Sequence, residues 1–395
     1  MSLVLTYTDD HALAPLEWHR RTREWCREMR ATQPIMYDSE YGWLILRYKE
    51  VVQVLTDYAT YSSEYEMPEQ VPEESRSIIM MDPPRHRQMR SLVTQAFSAR
   101  TIAQMEPVIE NIAHDLLANI SASGHADFMD ELAVPLPVMV IAEILGLPRE
   151  DWRLFKKWTD VQVNRASEQE AVAVQKELSS YFFSFLDERR KHPDDRIVSL
   201  LLAAEVEGKR LTDEELYAFF LTLLVAGNVT TTNLLGNAML CFHLFPEALQ
   251  KLQKNPQMVQ STVEEILRYM GPGRAFTHDP VGSRFARKDV EIEGHHIRKG
   301  EIVRPITFSA NFDEQQFEHP EQLDIERNPN RHLGFGHGIH FCLGAPLARL
   351  EARIVLAEML KRFSHWEVLD ADRLEQINTV LIFGVKHLPM NFQNV

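Results

Sequence analysis

Residues 335–344 read FGHGIHFCLG, placing one cysteine, Cys342, in a short stretch with Gly336, Gly338, Gly344, His337 and His340. A thiolate that ligates a metal needs its negative charge stabilised and room for the metal to approach. The helical pattern GAPLARLEARIVLAEML follows at once. Cys342 is therefore expected close to a helix N-terminus, where the dipole and free N–H groups favour an anion. The glycines remove side chains that would block a flat ligand, and they permit tight turns. Two plainer readings stand beside this one. A lone cysteine in a Gly-rich loop is usually a structural residue, and His332, His337, His340 and Cys342 have a spacing that zinc would tolerate.

Other stretches carry residues able to do chemistry. DPPRHRQMR puts His86 and Arg90 four apart, on one helical face. SRFARKDVEIEG contributes Arg284. EILR places Glu265 and Arg268 three apart, again on one face, a spacing that by itself describes a solvated surface pair. AGNVTTTN lies in a long uncharged stretch, and a threonine in a buried helix by default packs and bonds back to its own backbone.

Phe335, Gly336, Gly338, His340, Cys342, Gly344, Leu347, Ala348 and Arg349 together resemble the haem-binding signature of the cytochrome P450 family, soluble bacterial type. The resemblance extends over nearly the whole chain, with its motifs in order. It implies haem b as cofactor, Cys342 as its axial ligand and Phe335 packed near the sulfur, with Gly344 in the same loop. It implies His86, Arg90, Arg284 and His340 as contacts of the haem propionates. Glu265 and Arg268 would join Arg327 in a structural brace behind the cysteine loop. Ala226, Gly227 and Thr230 match the groove that faces the haem, with Thr230 in a catalytic role. By analogy the substrate pocket is lined by the loop at 62–80, the helices around 155–185, the central helix, the 275–281 segment and the turn near Phe383. Ile79, Val225 and Phe383 are the expected substrate contacts, and their apolar character points to a hydrophobic organic molecule.

The chain departs from the family pattern at three places. Val229 stands before Thr230 where an acid is usual, which puts the ordinary proton relay in doubt. Phe312 replaces a common arginine, and the stretch between Arg268 and Arg284 is longer than usual. The resemblance implies a monooxygenase that puts one atom of dioxygen into an apolar substrate. No G-x-G-x-x-G fingerprint for a nicotinamide or flavin occurs, so electrons are expected from a separate ferredoxin or flavodoxin with its reductase. Arg87, Arg100, Arg349 and Arg353 are the expected basic docking patch. Val229 keeps open a peroxide-driven oxygenase, or a coupling or dehydration catalyst. A non-enzymatic haem sensor is the remote third reading, since no signalling segment accompanies the motifs.

The elements that must hold these residues are mostly helices. Residues 16–30 read as an amphipathic helix, YGWLILRY at 41–48 as a strand before the helical KEVVQVLTD, and 62–80 as loop. Helical patterns dominate from Pro83-Pro84 to about Lys254 and return in MVQSTVEEILRYM, and short strand-like pieces with Gly turns follow over 280–310. A last helix over PLARLEARIVLAEMLKRF precedes terminal strands near VLIFGVKHLPMNF. The expected fold is mainly α with a minor β part, one domain over 1–395, haem lying between the long central helix and the cysteine-loop helix. Leu216–Phe245 carries no charge and is long enough to span a bilayer. Its Asn and Thr content, the capping-box spacing of Thr212 and Glu215, and the stop before Pro246 favour a buried core helix instead. The N-terminal stretch has no signal or anchor pattern, so a cytoplasmic protein is expected. A net charge of −15 without a Lys/Arg run argues against nucleic acid as a partner. Three scattered cysteines are too few for a disulfide framework.

Overall fold

The structure, a computed structural model, describes residues 13–64, 76–163, 167–206, 208–277, 281–379 and 381–395. The extreme N-terminus, most of the 62–80 loop and residues 278–280 of the expected pocket lie outside them.

Helices come first: α1 (Pro15–Thr32), α2 (Tyr48–Thr56), α3 (Arg85–Ala96), α4 (Ala99–Ser123), α5 (Pro135–Leu145), α6 (Trp152–Val163), α7 (Glu168–Lys191) and α8 (Ile197–Ala203). The uncharged stretch forms α9 (Asp213–Leu244), a helix of 32 residues, or ~48 Å at 1.5 Å per residue. Thr212 accepts from the Glu215 amide at 3.2 Å, and Glu215 accepts from the Thr212 amide at 2.9 Å. The capping box read from sequence is therefore formed. Shorter α10 (Pro246–Lys254), α11 (Val259–Met270), α12 (Thr307–Ala310) and the cysteine-loop helix α13 (Ala345–Arg362) complete the set used here.

Although α9 is long and apolar enough to cross a membrane, it packs as the central helix against α5, α6, α11 and α13. Gly236 and Gly227 allow this. A Cβ at Gly236 would lie 2.7 Å from the Met129 sulfur, and one at Gly227 would lie 3.2 Å from Ile141 Cδ1.

The β part is small. Strands β1 (Ile35–Asp38), β2 (Gly42–Ile45), β3 (Tyr61–Ser62), β4 (His125–Asp127), β5 (Glu205–Val206), β6 (Lys209–Arg210), β7 (Arg284–Ala286), β8 (Val290–Ile292), β9 (His295–Ile297) and β10 (Ile302–Pro305) precede the C-terminal β11 (Phe363–Val368) and β12 (Pro389–Asn394). One sheet runs β1-β2-β10-β7-β3, with only β2 and β10 parallel. A second runs β11-β12-β4. Sequence reading gave EIVRPITFSA as one strand; it holds β10 and then α12, and β11 was not anticipated.

Candidate active site

The cysteine loop is built against two helices. Gly336 and Gly338 both take φ of +71°, a region open to glycine at no steric cost. A Cβ on Gly338 would fall 2.3 Å from the Leu55 carbonyl oxygen, so the loop abuts the end of α2. The Cys342 amide donates to the Phe335 carbonyl at 2.9 Å, and α13 begins three residues on. The sulfur opens into a cavity of about 360 Å³ that runs up to α9. It is open on that side yet surrounded by protein, so burial pushes the thiol up, while the Gly344 and Ala345 amides and the charges of Arg90 and Arg349 pull it down. Cys26 and Cys241 are buried away from the cavity, and burial pushes Cys26 up to about 12 and Cys241 higher still. Only Cys342 is placed to meet a ligand.

Cationic and donor groups gather at one edge of this cavity. The His86 and His340 rings lie 4.4 Å apart, and each has a buried Nε2 with no hydrogen-bond partner. Burial pushes His86 down to about 4 and His340 to about 3. Arg90 donates to the Phe341 carbonyl, and burial lowers it. Arg284, on β7, is buried and donates to the Ser283 carbonyl at 2.8 Å; burial pulls it to about 10. No carboxylate of the described residues pairs with His86, His340 or Arg284. Buried polar groups without partners are costly, and the two carboxylates of a haem would satisfy these. The residues present fit that group: a sulfur on one wall, unmet donors at the edge, and small residues opposite.

The opposite wall is α9. Ala226, Gly227, Thr230, Thr231 and Leu234 face the cavity. Thr230 Oγ1 donates to the Ala226 carbonyl at 2.7 Å, the back-bond expected by default, while still lining the cavity. Val229 does not. It lies on the other face of α9, lining a separate cleft of about 480 Å³ with Asn228, Asn233, Lys156 and Asp160.

The apolar walls correct two of the three expected substrate contacts. Ile79 lines the cavity, together with Phe219, Leu223 and Ile382. Val225 is absent from the lining, although Thr222 and Ala226 of the same helix are part of it. Phe383 is 1% exposed and stacks on Trp18 at 4.8 Å, in an aromatic cluster with His19. Its neighbour Ile382 takes the place expected of it.

Behind the loop, Glu265 and Arg268 are joined at 2.8 Å with both side chains fully buried. Arg327 Nε reaches Glu265 at 3.2 Å, Asn330 donates to it at 3.0 Å, and Arg268 donates to the carbonyls of Asn311, Pro320 and Gln322. Phe312, where an arginine is common, lies 5.5 Å beneath the Arg268 guanidinium. Sequence reading missed Glu264. Its carboxylate accepts from Arg349 at 2.7 Å and bonds His332 at 3.0 Å, tying α11 to α13 and to the loop. Arg349 in turn lies 4.5 Å over the Phe335 ring.

These contacts dismantle the zinc alternative. His332 is engaged by Glu264 and His340 packs at a tilt against His86, and among the described residues only Asp127, Asp130 and His387 bring three ligand atoms together. They also thin the basic patch. Arg349 is taken by Glu264 and Arg353 by Glu106, while Arg87 lines an open hollow beside the loop and Arg100 is exposed.

Comparison with known proteins agrees with this geometry. The family model described as Cytochrome P450 matches residues 35–131 and 128–392. Cytochrome P450 109 of Bacillus spizizenii is 38% identical over 375 residues, covering 92% of this chain and 90% of its own. Erythromycin C-12 hydroxylase of Saccharopolyspora erythraea is 37% identical over 382 residues, covering 93% of each. The crystal structure of CYP109E1 from Bacillus megaterium in complex with testosterone superposes with a TM-score of 0.85 at 39% identity, over 93% of this chain and 98% of that one.

Proposed function

The chain belongs to the cytochrome P450 family and is a monooxygenase, and from that premise we propose that it oxidises an apolar organic molecule held between α9 and the Cys342 loop. The observation that carries the proposal is the cavity itself. Away from the edge held by His86, Arg90 and His340 its walls are mostly apolar, with Cys342 on one side and Thr230 on the other. One similar protein is named as an erythromycin hydroxylase, and another has been crystallised in complex with testosterone. Both are bulky and largely apolar, and we take this chain's substrate to be of that kind.

Haem is the family's cofactor, and we assign the b form, held without covalent attachment. When bound it supplies the redox chemistry, with thiolate ligation favouring O–O cleavage. The chain's residues do the rest. Cys342 presents its sulfur, with the Gly344 and Ala345 amides stabilising negative charge there. His86, Arg90, Arg284 and His340 take the two carboxylates, the histidines gaining the partners that their Nε2 atoms lack. Ala226 and Gly227 leave room beside the cofactor face. Ile79, Phe219, Leu223 and Ile382 orient the substrate and exclude water. Thr230 donates its hydroxyl proton to the Ala226 carbonyl and leaves its lone pairs free to accept from a cavity water.

Electrons come from a ferredoxin or flavodoxin with its reductase, docking beside the loop where Arg87 and Arg100 remain outward. The reading takes the protein as cytoplasmic, α9 serving as core rather than anchor. A peroxide-driven oxygenase is the second reading, supported by the cavity face of α9, which offers hydroxyls and no acid. Turnover separates them. The haem-loaded protein should oxidise compounds that shift its ferric spin state when given a ferredoxin system and dioxygen. Product from peroxide alone, and none from electrons and dioxygen, would favour the second reading.

A further inference from the structure

Among the described residues, the polar side chains on the α9 wall of the Cys342 cavity are three threonines, Thr222, Thr230 and Thr231. Thr222 stands apart from the other two. It precedes Thr230 by two turns, ~12 Å along the helix at 1.5 Å per residue. Apolar side chains line the cavity around it, Phe219 and Leu223 on α9 and Ile78 and Ile79 on the turn before α3. The Thr222 hydroxyl has a defined polarity. Its Oγ1 donates to the Ala218 carbonyl at 2.8 Å, which uses its one proton. Ser77 Oγ lies 3.1 Å from the same oxygen and is therefore the donor of that second bond. Ser77 caps the 3-10 turn Ile78–Met80, accepting from the Ile79 amide at 3.4 Å. A threonine that only packs needs no more than the bond to its own helix. Here the Ser77 bond also fixes how the oxygen is presented.

A hydroxyl oxygen accepts two hydrogen bonds, so Thr222 keeps one lone pair for a ligand and has no proton to offer it. A ketone or an ether would set its own lone pairs against that oxygen. An O–H or N–H satisfies it. No carboxylate of α9 lines the cavity, so an ammonium would be buried here without a counter-charge, and the neutral O–H is the fitting donor. We propose that Thr222 recognises a hydroxyl of the substrate. The substrate is then an apolar alcohol, held by its O–H at the Thr222 end of the cavity and oxidised at a carbon remote from it, toward Thr230. The inference rests on the monooxygenase reading above and gives it a substrate class.

The probes are primary decanol and nonyl methyl ether, isomers that differ in whether the oxygen carries a proton. Equilibrium dialysis against haem-loaded protein gives the ratio of their affinities and needs no turnover. Thr222→Val, which keeps the shape and removes the oxygen, should lower the preference for decanol about fivefold, the worth of one hydrogen bond. Thr222→Ser, which keeps the oxygen, should restore the preference. Ser77→Ala, which frees a further lone pair on Thr222, should retain it. With a ferredoxin system, wild type should oxidise decanol toward the chain end remote from its hydroxyl, and Thr222→Val should spread the products along the chain. An equal ratio in wild type and Thr222→Val, no binding of decanol, or wild-type oxidation at the hydroxyl-bearing carbon would overturn the proposal. If neither dioxygen with electrons nor peroxide yields product, the monooxygenase reading fails instead, and the dialysis ratio still decides the role of Thr222.

Discussion

Glu265 and Arg268 meet in a two-bonded pair at 2.8 Å, with neither side chain reaching solvent. A pair so placed is costly to split, because the survivor is left charged and buried. Arg268→Ala should destabilise the protein by ~3–5 kcal/mol, and little haem-loaded protein should be recovered. Denaturant unfolding checks this. A loss under ~1 kcal/mol, the range of exposed pairs, would contradict the brace.

The Glu264 hub adds a pH signature. Burial acts to raise its carboxyl, and the hydrogen bonds from His332 and Arg349 outweigh that, lowering it from 4.5 to about 2. A carboxyl lowered on folding contributes stability that is complete above its unfolded value and fades as pH falls toward its folded one. Wild type should therefore lose this contribution between about pH 4.5 and about pH 2. Glu264→Gln, lacking it throughout, should be less stable at neutral pH and converge on wild type across that window. Unfolding midpoints measured through the window test the point, and parallel curves would refute it.

Ile382 and Phe383 are adjacent and should behave oppositely. Phe383→Ala removes a buried ring stacked on Trp18, costing about 3–5 kcal/mol with little change in ligand affinity per folded molecule. Ile382→Ala should leave stability nearer wild type and alter the affinities of spin-shifting ligands, since its side chain lines the cavity. Titrations of ferric spin state, beside thermal melts, separate the two.

Val229 faces the cleft that holds the Lys156–Asp160 ion pair. Val229→Asp or Val229→Glu would set a carboxylate near an existing cation, easing the desolvation that an acid in α9 otherwise suffers. A carboxylate at 229, next to Thr230 in sequence but opening on this cleft, would offer protons from that side of α9 and should raise product formed per electron and reduce peroxide release. Coupling assays with a competent ferredoxin system decide this. Tight coupling in wild type, with no gain in the variants, would show that proton supply is not limiting.

What could be read in advance was mostly local. The Cys342 loop, the Thr212–Glu215 box and the Glu265–Arg268 spacing lie within a few residues each, and periodicity places them on helices. Orientation across elements was harder. Phe383 and Ile382 differ by one position, and only the backbone path after Pro272 decides which faces the cavity. Glu264 looked like any surface glutamate until His332 and Arg349, from two other segments, closed on it. Phe312 read as a departure and is accounted for by the Arg268 guanidinium above it.

The central claim is that Cys342 holds the haem through its sulfur. The absorption spectrum of the reduced, carbon monoxide-bound protein tests it most directly. Wild type, and variants with Cys26 or Cys241 replaced by Ala, should show the red-shifted band of a thiolate complex, and Cys342→Ser should lose it. Persistence of that band in Cys342→Ser, or its absence from haem-loaded wild type, would contradict the account.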